Sequence, residues 1–237
     1  MPTKRLEILA IAFAGLNIMD LTGPSEVFGS SRIPTRERRI TIASSQDTIA
    51  SSEGIILKRQ VSLLELLATK SDGSIELSRY EILVMPGAPP GNVQKAIEDD
   101  ENLLAVLRTF AGFGSSGGRH RWILSVCTGA AFLGTIGALS GKTATCHWSY
   151  LDTLREICRA NNAPGEETNV VRKRWVDTGR SPTGVRIITA GGVSCGIDAA
   201  LWILSELFSM EKAREVAKGM DYDWKFGKNE FTEGWVV

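Results

Sequence analysis

The feature that most restricts the fold is the run Glu81-Ile82-Leu83-Val84-Met85, cut off by Pro86-Gly87-Ala88-Pro89-Pro90-Gly91. Apolar residues in unbroken succession read as a strand buried on both faces, and the Gly/Pro cluster ends it. A strand covered on both sides needs helices on both sides, which implies a mostly parallel sheet. Strand-like runs at 6–13, 39–43, 55–58, 121–126 and 143–146 supply its neighbours. Two more, 170–176 and 185–190, read as a pair across a Gly/Pro turn. Between the strands lie helical patterns at 61–68, 92–113 (with a candidate break at Asp99-Asp100), 128–137, 148–160 and 195–209. A further short helix opens near Thr22-Gly23-Pro24, with Pro24 in its first turn, where a missing N–H costs nothing. Strand–helix alternation of this kind defines an α/β sandwich of three layers.

At 237 residues the chain is long enough for one full core. The segment 114–118 reads as a loop because the strand pattern resumes at 121, so residues 1–237 are expected to form one domain. Residues 211–237 are taken as a C-terminal docking extension. From Asp221 onward it is irregular but carries Trp224, Phe226, Phe231 and Trp235, which are poorly accommodated by water. Docking on the domain or on a second subunit is the expectation, and a substrate lid is the alternative.

Lys plus Arg number 27 and Asp plus Glu 27, so the formal net charge is zero. That balance argues against a nucleic-acid or anionic-membrane partner, since both select a basic excess. Arg32, Arg36, Arg38 and Arg39 sit with Pro34 and Glu37 and read as a solvated loop. The N-terminal segment is basic and then apolar, but the apolar run is short, contains Glu7 and lacks a small-residue cleavage site. No stretch approaches the roughly 18 apolar residues of a membrane span, and a cytoplasmic protein is expected. Cys127, Cys146, Cys158 and Cys195 form no Cys-x-x-Cys pair, and Cys146-His147 with Cys158 fits no common ligand spacing. Neither a metal site nor a disulfide is expected.

The segment from Trp122 to Ala131 runs a strand directly into Cys127 and then into Thr128-Gly129-Ala130-Ala131. So tight a strand-to-helix turn lifts the side chain out of the sheet, as in the nucleophile elbow of α/β-hydrolases. The helix N-terminus would favour thiolate over thiol. A buried cysteine at a strand end is the plainer alternative. In a parallel sheet, ligands bind outside the carboxyl ends of the strands. That rule gathers Asp20, the Gly87-Ala88 amides and Cys127 at one crevice, although Asp20 taken alone also suits an N-cap. His147 follows a short strand and suits a structural histidine as well as a pocket wall; His120 reads as solvated.

These segments, with Thr189-Ala190-Gly191-Gly192 and Gly196-Ile197-Asp198, resemble the ThiJ/PfpI superfamily over residues ~6–210. The resemblance implies a flavodoxin-like, class I glutamine amidotransferase-like domain with a cysteine nucleophile elbow. Asp20-Leu21-Thr22-Gly23-Pro24, Ser125-Val126-Cys127-Thr128-Gly129 and His147-Trp148 are most similar to the isocyanide hydratase branch. The protease branch has histidine after the cysteine, where this chain has Thr128. The glutamine amidotransferases need a later His-x-Glu, which is missing. The glyoxalase and chaperone-like branch uses glutamate on the first turn, where this chain has Asp20. Versus the hydratase pattern, Ala88 replaces a usual glycine; its methyl narrows the pocket and leaves the amide in place.

What the hydratase resemblance implies is a lyase that turns an isocyanide into an N-substituted formamide. Cys127 would form a thioimidate, with Asp20, protonated near the sulfur, as general acid and then base. The amides of Gly87, Ala88 and Thr128 would face developing charge, and the Thr128 hydroxyl would orient water or Asp20. Gly23, Pro24, His147, Val193 and Ile197 would line the pocket. The resemblance further implies no cofactor, a small-molecule substrate and a homodimer. Two rivals stand beside it: a glyoxalase-type enzyme acting on α-oxoaldehydes, and a non-enzymatic redox or stress-response protein in which Cys127 oxidises.

Overall fold

The computed structural model describes residues 6–33, 38–114, 120–226 and 229–231. The readings made on residues 1–5, on Pro34, Arg36 and Glu37, on most of the 114–118 loop and on Trp235 lie outside them. The chain opens with β1 (Leu6–Ile11), α1 (Ile18–Gly29) and β2 (Arg38–Ser44). A hairpin of β3 (Thr48–Ala50) and β4 (Ile56–Lys58) leads to β5 (Val61–Ser62) and α2 (Leu63–Leu67). Next come β6 (Ile82–Met85), α3 (Pro90–Asp99), α4 (Glu101–Ala111), β7 (Trp122–Val126) and α5 (Ala130–Thr135). After them follow β8 (Thr143–Ala144), α6 (Leu151–Asn161), β9 (Asn169–Val170), β10 (Trp175–Arg180) and β11 (Arg186–Ala190). Helices α7 (Cys195–Leu207) and α8 (Met210–Gly219) close the regular structure.

Seven strands form the main sheet in the order β10-β11-β7-β6-β1-β2-β5, parallel except for β10 against β11. Alternate side chains feed two cores. Leu9, Ile11, Leu83, Met85 and Ile123 pack with α2 to α6, whereas Ile8, Ile82, Val84, Leu124 and Val126 pack with α1, α7 and α8. This is the three-layer, mostly parallel, flavodoxin-like sandwich, and burial on both faces explains why β1, β6 and β7 read as unbroken apolar runs. The break between α3 and α4 falls at Asp100, whose side chain accepts from the Leu103 N–H at 3.1 Å and caps α4.

Two local expectations are corrected. Helix α1 begins at Ile18, so Pro24 lies well inside it. Asn17 is the cap, accepting from the Met19 and Asp20 N–H groups, and this start overrides the signal of the proline. The strand expected at 170–176 divides into β9, paired with β8, and β10, paired with β11. Helix α8 occupies the first part of the segment read as extension. Beyond it, Tyr222, Trp224 and Phe231 pack on the α1–α7–α8 core.

Candidate active site

The four segments at the carboxyl edge of the central strands converge on one point: Asp20 after β1, Gly87 after β6, Cys127 after β7 and Val193 after β11. Cys127 takes φ 59°, a left-handed conformation that is unfavourable for a residue with a side chain. Two backbone bonds hold it there. Its N–H donates to the Gly191 carbonyl at 3.0 Å, and its carbonyl accepts from the His147 N–H at 3.2 Å. Close approach of β6 requires glycine on either side: a Cβ on Gly129 would lie 2.5 Å from the Met85 carbonyl oxygen, and one on Gly87 2.6 Å from the Thr128 nitrogen.

Asp20 is completely buried. Its Oδ2 accepts from the Gly87 N–H at 3.2 Å, and the carboxyl also faces the Cys127 thiol and the Val193 N–H. Its Oδ1 makes no hydrogen bond of ordinary geometry. Burial pushes the Asp20 carboxyl up to about 7, against the lowering effect of the Gly87 N–H. Burial likewise pushes the Cys127 thiol up to about 12, and the Asp20 charge adds to this. The expected ionised sulfur is therefore corrected. The elbow opens on a three-residue 3₁₀ turn followed by a six-residue helix, too short a dipole to outweigh desolvation. Above about pH 7 the two facing groups hold one proton between them, and below it each holds its own.

Thr128 is engaged elsewhere than expected. Its hydroxyl donates to the Ala88 carbonyl at 2.7 Å and accepts from the Ala88 N–H at 2.8 Å. The Ala88 amide is thus bound to Thr128 and the Gly87 amide to Asp20, so neither is free toward developing charge in this arrangement. The Thr128 N–H, which faces the Cys127 sulfur, is the amide that remains at the elbow.

A cavity of about 220 Å³ opens over Cys127, walled by Asn17, Ser52, Ala88, His147, Ser149 and Val193 among others. Gly23, Pro24 and Ile197 are not on its wall. A Cβ on Gly23 would lie 3.0 Å from Ile197 Cγ1, and one on Gly196 3.5 Å from Pro24 Cγ, so these residues form the tight α1–α7 contact behind the sulfur. His147 does line the cavity; its Nδ1 lies 2.8 Å from the Ser149 hydroxyl, and burial lowers its basicity. His120 is exposed. Asn17, Ser52 and Ser149 were missed by sequence reasoning. Asn17 carried a signal, since it directly precedes the helix as a cap residue does, whereas Ser52 arrives on the β3–β4 turn through tertiary pairing. Among the described residues, no helix is long and apolar enough to cross a membrane.

A cysteine on a left-handed elbow, facing a buried carboxyl at the carboxyl edge of a parallel sheet, defines a class of α/β sandwich proteins built around one cysteine–carboxyl pair. The chain belongs to the DJ-1/PfpI family, whose model matches residues 6–189. It is 29% identical to isonitrile hydratase of Pseudomonas putida over 217 residues, covering 92% of this chain and 78% of that protein. It is 28% identical to protein DJ-1alpha of Drosophila melanogaster over 220 residues, 92% and 84% of the two chains. The crystal structure of a THiJ/PfpI family protein from Pseudomonas syringae superposes with a TM-score of 0.68 at 26% identity, covering 94% and 77%.

Proposed function

We propose that this protein hydrates a small isocyanide to an N-substituted formamide, with Cys127 as nucleophile and Asp20 as the proton carrier. The observation that carries the reading is the fully buried Asp20 carboxyl, held on the Gly87 N–H and facing the Cys127 thiol. The similarity to an isonitrile hydratase along 92% of the chain supports the substrate class. In the first half-reaction the sulfur bonds to the terminal isocyanide carbon while the thiol proton passes to the Asp20 carboxylate. Asp20 then delivers that proton to the same carbon, leaving a neutral thioimidate. In the second half, Asp20 takes a proton from the water that attacks this carbon and relays it to the imine nitrogen. The carbon–sulfur bond breaks, and the hydroxyl proton of the collapsing adduct returns to the sulfur. Formamide leaves and the starting protonation is restored.

The cavity of about 220 Å³ suits a small substrate whose reactive carbon is terminal and unhindered. The same reading takes the protein as a cytoplasmic homodimer. Loss of the N≡C infrared stretch with formamide appearing tests it, run beside lactate formation from methylglyoxal by the same preparation. Cys127→Ala is expected to abolish hydration, and Asp20→Asn to slow it by ~10²–10⁴-fold. Full-rate turnover by Cys127→Ala, or turnover of methylglyoxal alone, would overturn the proposal.

A further inference from the structure

We infer that Glu53, on the turn of the β3–β4 hairpin, is a positioning residue for Asp20: it pins the first turn of α1 and places a fixed negative charge beside the Cys127–Asp20 pair. The inference rests on the reading of Asp20 as the proton carrier and extends it to a residue outside the cavity wall. Glu53 Oε1 accepts from Asn17 Nδ2 at 2.8 Å, and Oε2 accepts from the Ile18 N–H at 3.1 Å. With Nδ2 so engaged, Asn17 Oδ1 is turned toward the Met19 and Asp20 N–H groups, each at 3.1 Å. Three of the N–H groups that a helix start leaves unpaired are thus satisfied by these two side chains. The chain of bonds ends on the backbone of Asp20 itself.

The hairpin turn is tied to the loop between β1 and α1. The Ser52 N–H donates to the Leu16 carbonyl at 2.9 Å and the Gly15 N–H to the Ala50 carbonyl at 2.8 Å. The Ser51 hydroxyl accepts from the Glu53 and Ile55 N–H groups at 3.3 and 3.1 Å. Burial works against the Glu53 charge, but hydrogen bonds from Ser51 and Ile18 outweigh it and hold the carboxyl below its ordinary range. Glu53 is therefore ionised wherever the enzyme would work. The groups facing Asp20 are the Cys127 thiol from the elbow, the Gly87 and Val193 amides, Cys195 from α7 and Glu53 from the hairpin. None of them is cationic, so the Glu53 charge acts on Asp20 without a local counter-charge and favours its protonated form.

Glu53→Gln keeps the shape and one acceptor while removing the charge. Two profiles read the effect. The first is alkylation of Cys127 by iodoacetamide between pH 5 and 9, followed on the Cys127 peptide by mass spectrometry, with no substrate needed. The second is the pH dependence of kcat/KM for isocyanide hydration. Both inflections near neutrality, set by loss of the Asp20 proton that leaves the pair sharing one, should move down by about half a pH unit, the size expected for one screened surface charge, and the shift should shrink in 1 M salt. Alkylation curves that superimpose for Glu53→Gln and wild type, whatever happens to thermal stability or KM, would overturn the inference. A shifted alkylation curve in a protein that hydrates no isocyanide would uphold Glu53 as the positioning residue while removing the proposed substrate.

Discussion

Cys127 and Asp20 show how little of a reactive site is chemistry and how much is backbone. Cys127 is held at φ 59° by bonds to Gly191 and His147, and Asp20 by the Gly87 N–H, so each of the two side chains is placed by main chain from another element. Such placement has a cost that titration reveals. The folded carboxyl titrates at about 7 against 3.8 for an ordinary aspartate. The folded protein therefore keeps a proton that the unfolded chain releases as pH rises between those values. Because the folded pKa is raised, Asp20 makes the fold progressively less stable through that window, and the full penalty applies above about pH 7. Asp20→Asn removes the titration yet can still accept from Gly87. Urea unfolding at pH 5 and pH 8 should show the variant gaining about 3 kcal/mol on the wild type between the two, while it loses activity. Parallel stability curves would mean that Asp20 is not the proton-holding group.

At the scale of elements, the loop that carries Gly191 and Val193 depends on the end of the chain. Asp198 on α7 is fully buried; Arg174 Nε donates to its Oδ2 at 2.7 Å and the Tyr222 hydroxyl to its Oδ1 at 3.0 Å. The Arg174 N–H donates to the Asn229 carbonyl, the Gly191 N–H to the Arg174 carbonyl and the Cys127 N–H to the Gly191 carbonyl. A continuous file of backbone bonds thus joins the C-terminal segment to Cys127. Tyr222→Phe leaves one buried carboxylate oxygen a donor short, which should cost about 1–3 kcal/mol. Calorimetry should then show Tm lowered by about 2–12 °C, and an unchanged Tm would place the Tyr222 bond outside the stabilising network. None of this was legible in the sequence. Strands β1, β6 and β7 were, because continuous burial writes itself as continuous apolar residues, and the pairing of Cys127 with Asp20 followed from where those strands end. Helix α1 was misread because Pro24 looked like a start signal when Asn17 already was one. Strands β4 and β8 fall within runs read as strands at 55–58 and 143–146, but β3 has only three residues and no apolar run, so its pairing with β4 and the parts of the site that ride on their turn, Ser52 and Glu53, left no local mark.

Across the whole molecule, the site straddles a gradient of stability. Strands β1, β6 and β7 have a hydrogen-bonded neighbour on each side and a core on each face, so freeing their amides requires both layers to come apart. Cys127 and Gly87 stand at the ends of these strands. The β3–β4 hairpin, in contrast, is a separate two-stranded unit of three residue pairs, with Ile55 and Ile56 exposed at 47% and 62%. Glu53 sits in its turn, and so the element that positions the first turn of α1 is also one that can open without unfolding the sheet. Amide hydrogen exchange should therefore separate the two. Peptides covering 82–85 and 122–126 should exchange last, with free energies near that of global unfolding, whereas those covering 48–58 should exchange much earlier. If the hairpin proved as protected as β7, the positioning of Asp20 would belong to the rigid core. If it exchanges early, opening of the hairpin withdraws Glu53 from Asn17 and Ile18, and the Asp20 carboxyl loses its support before any strand of the sheet moves.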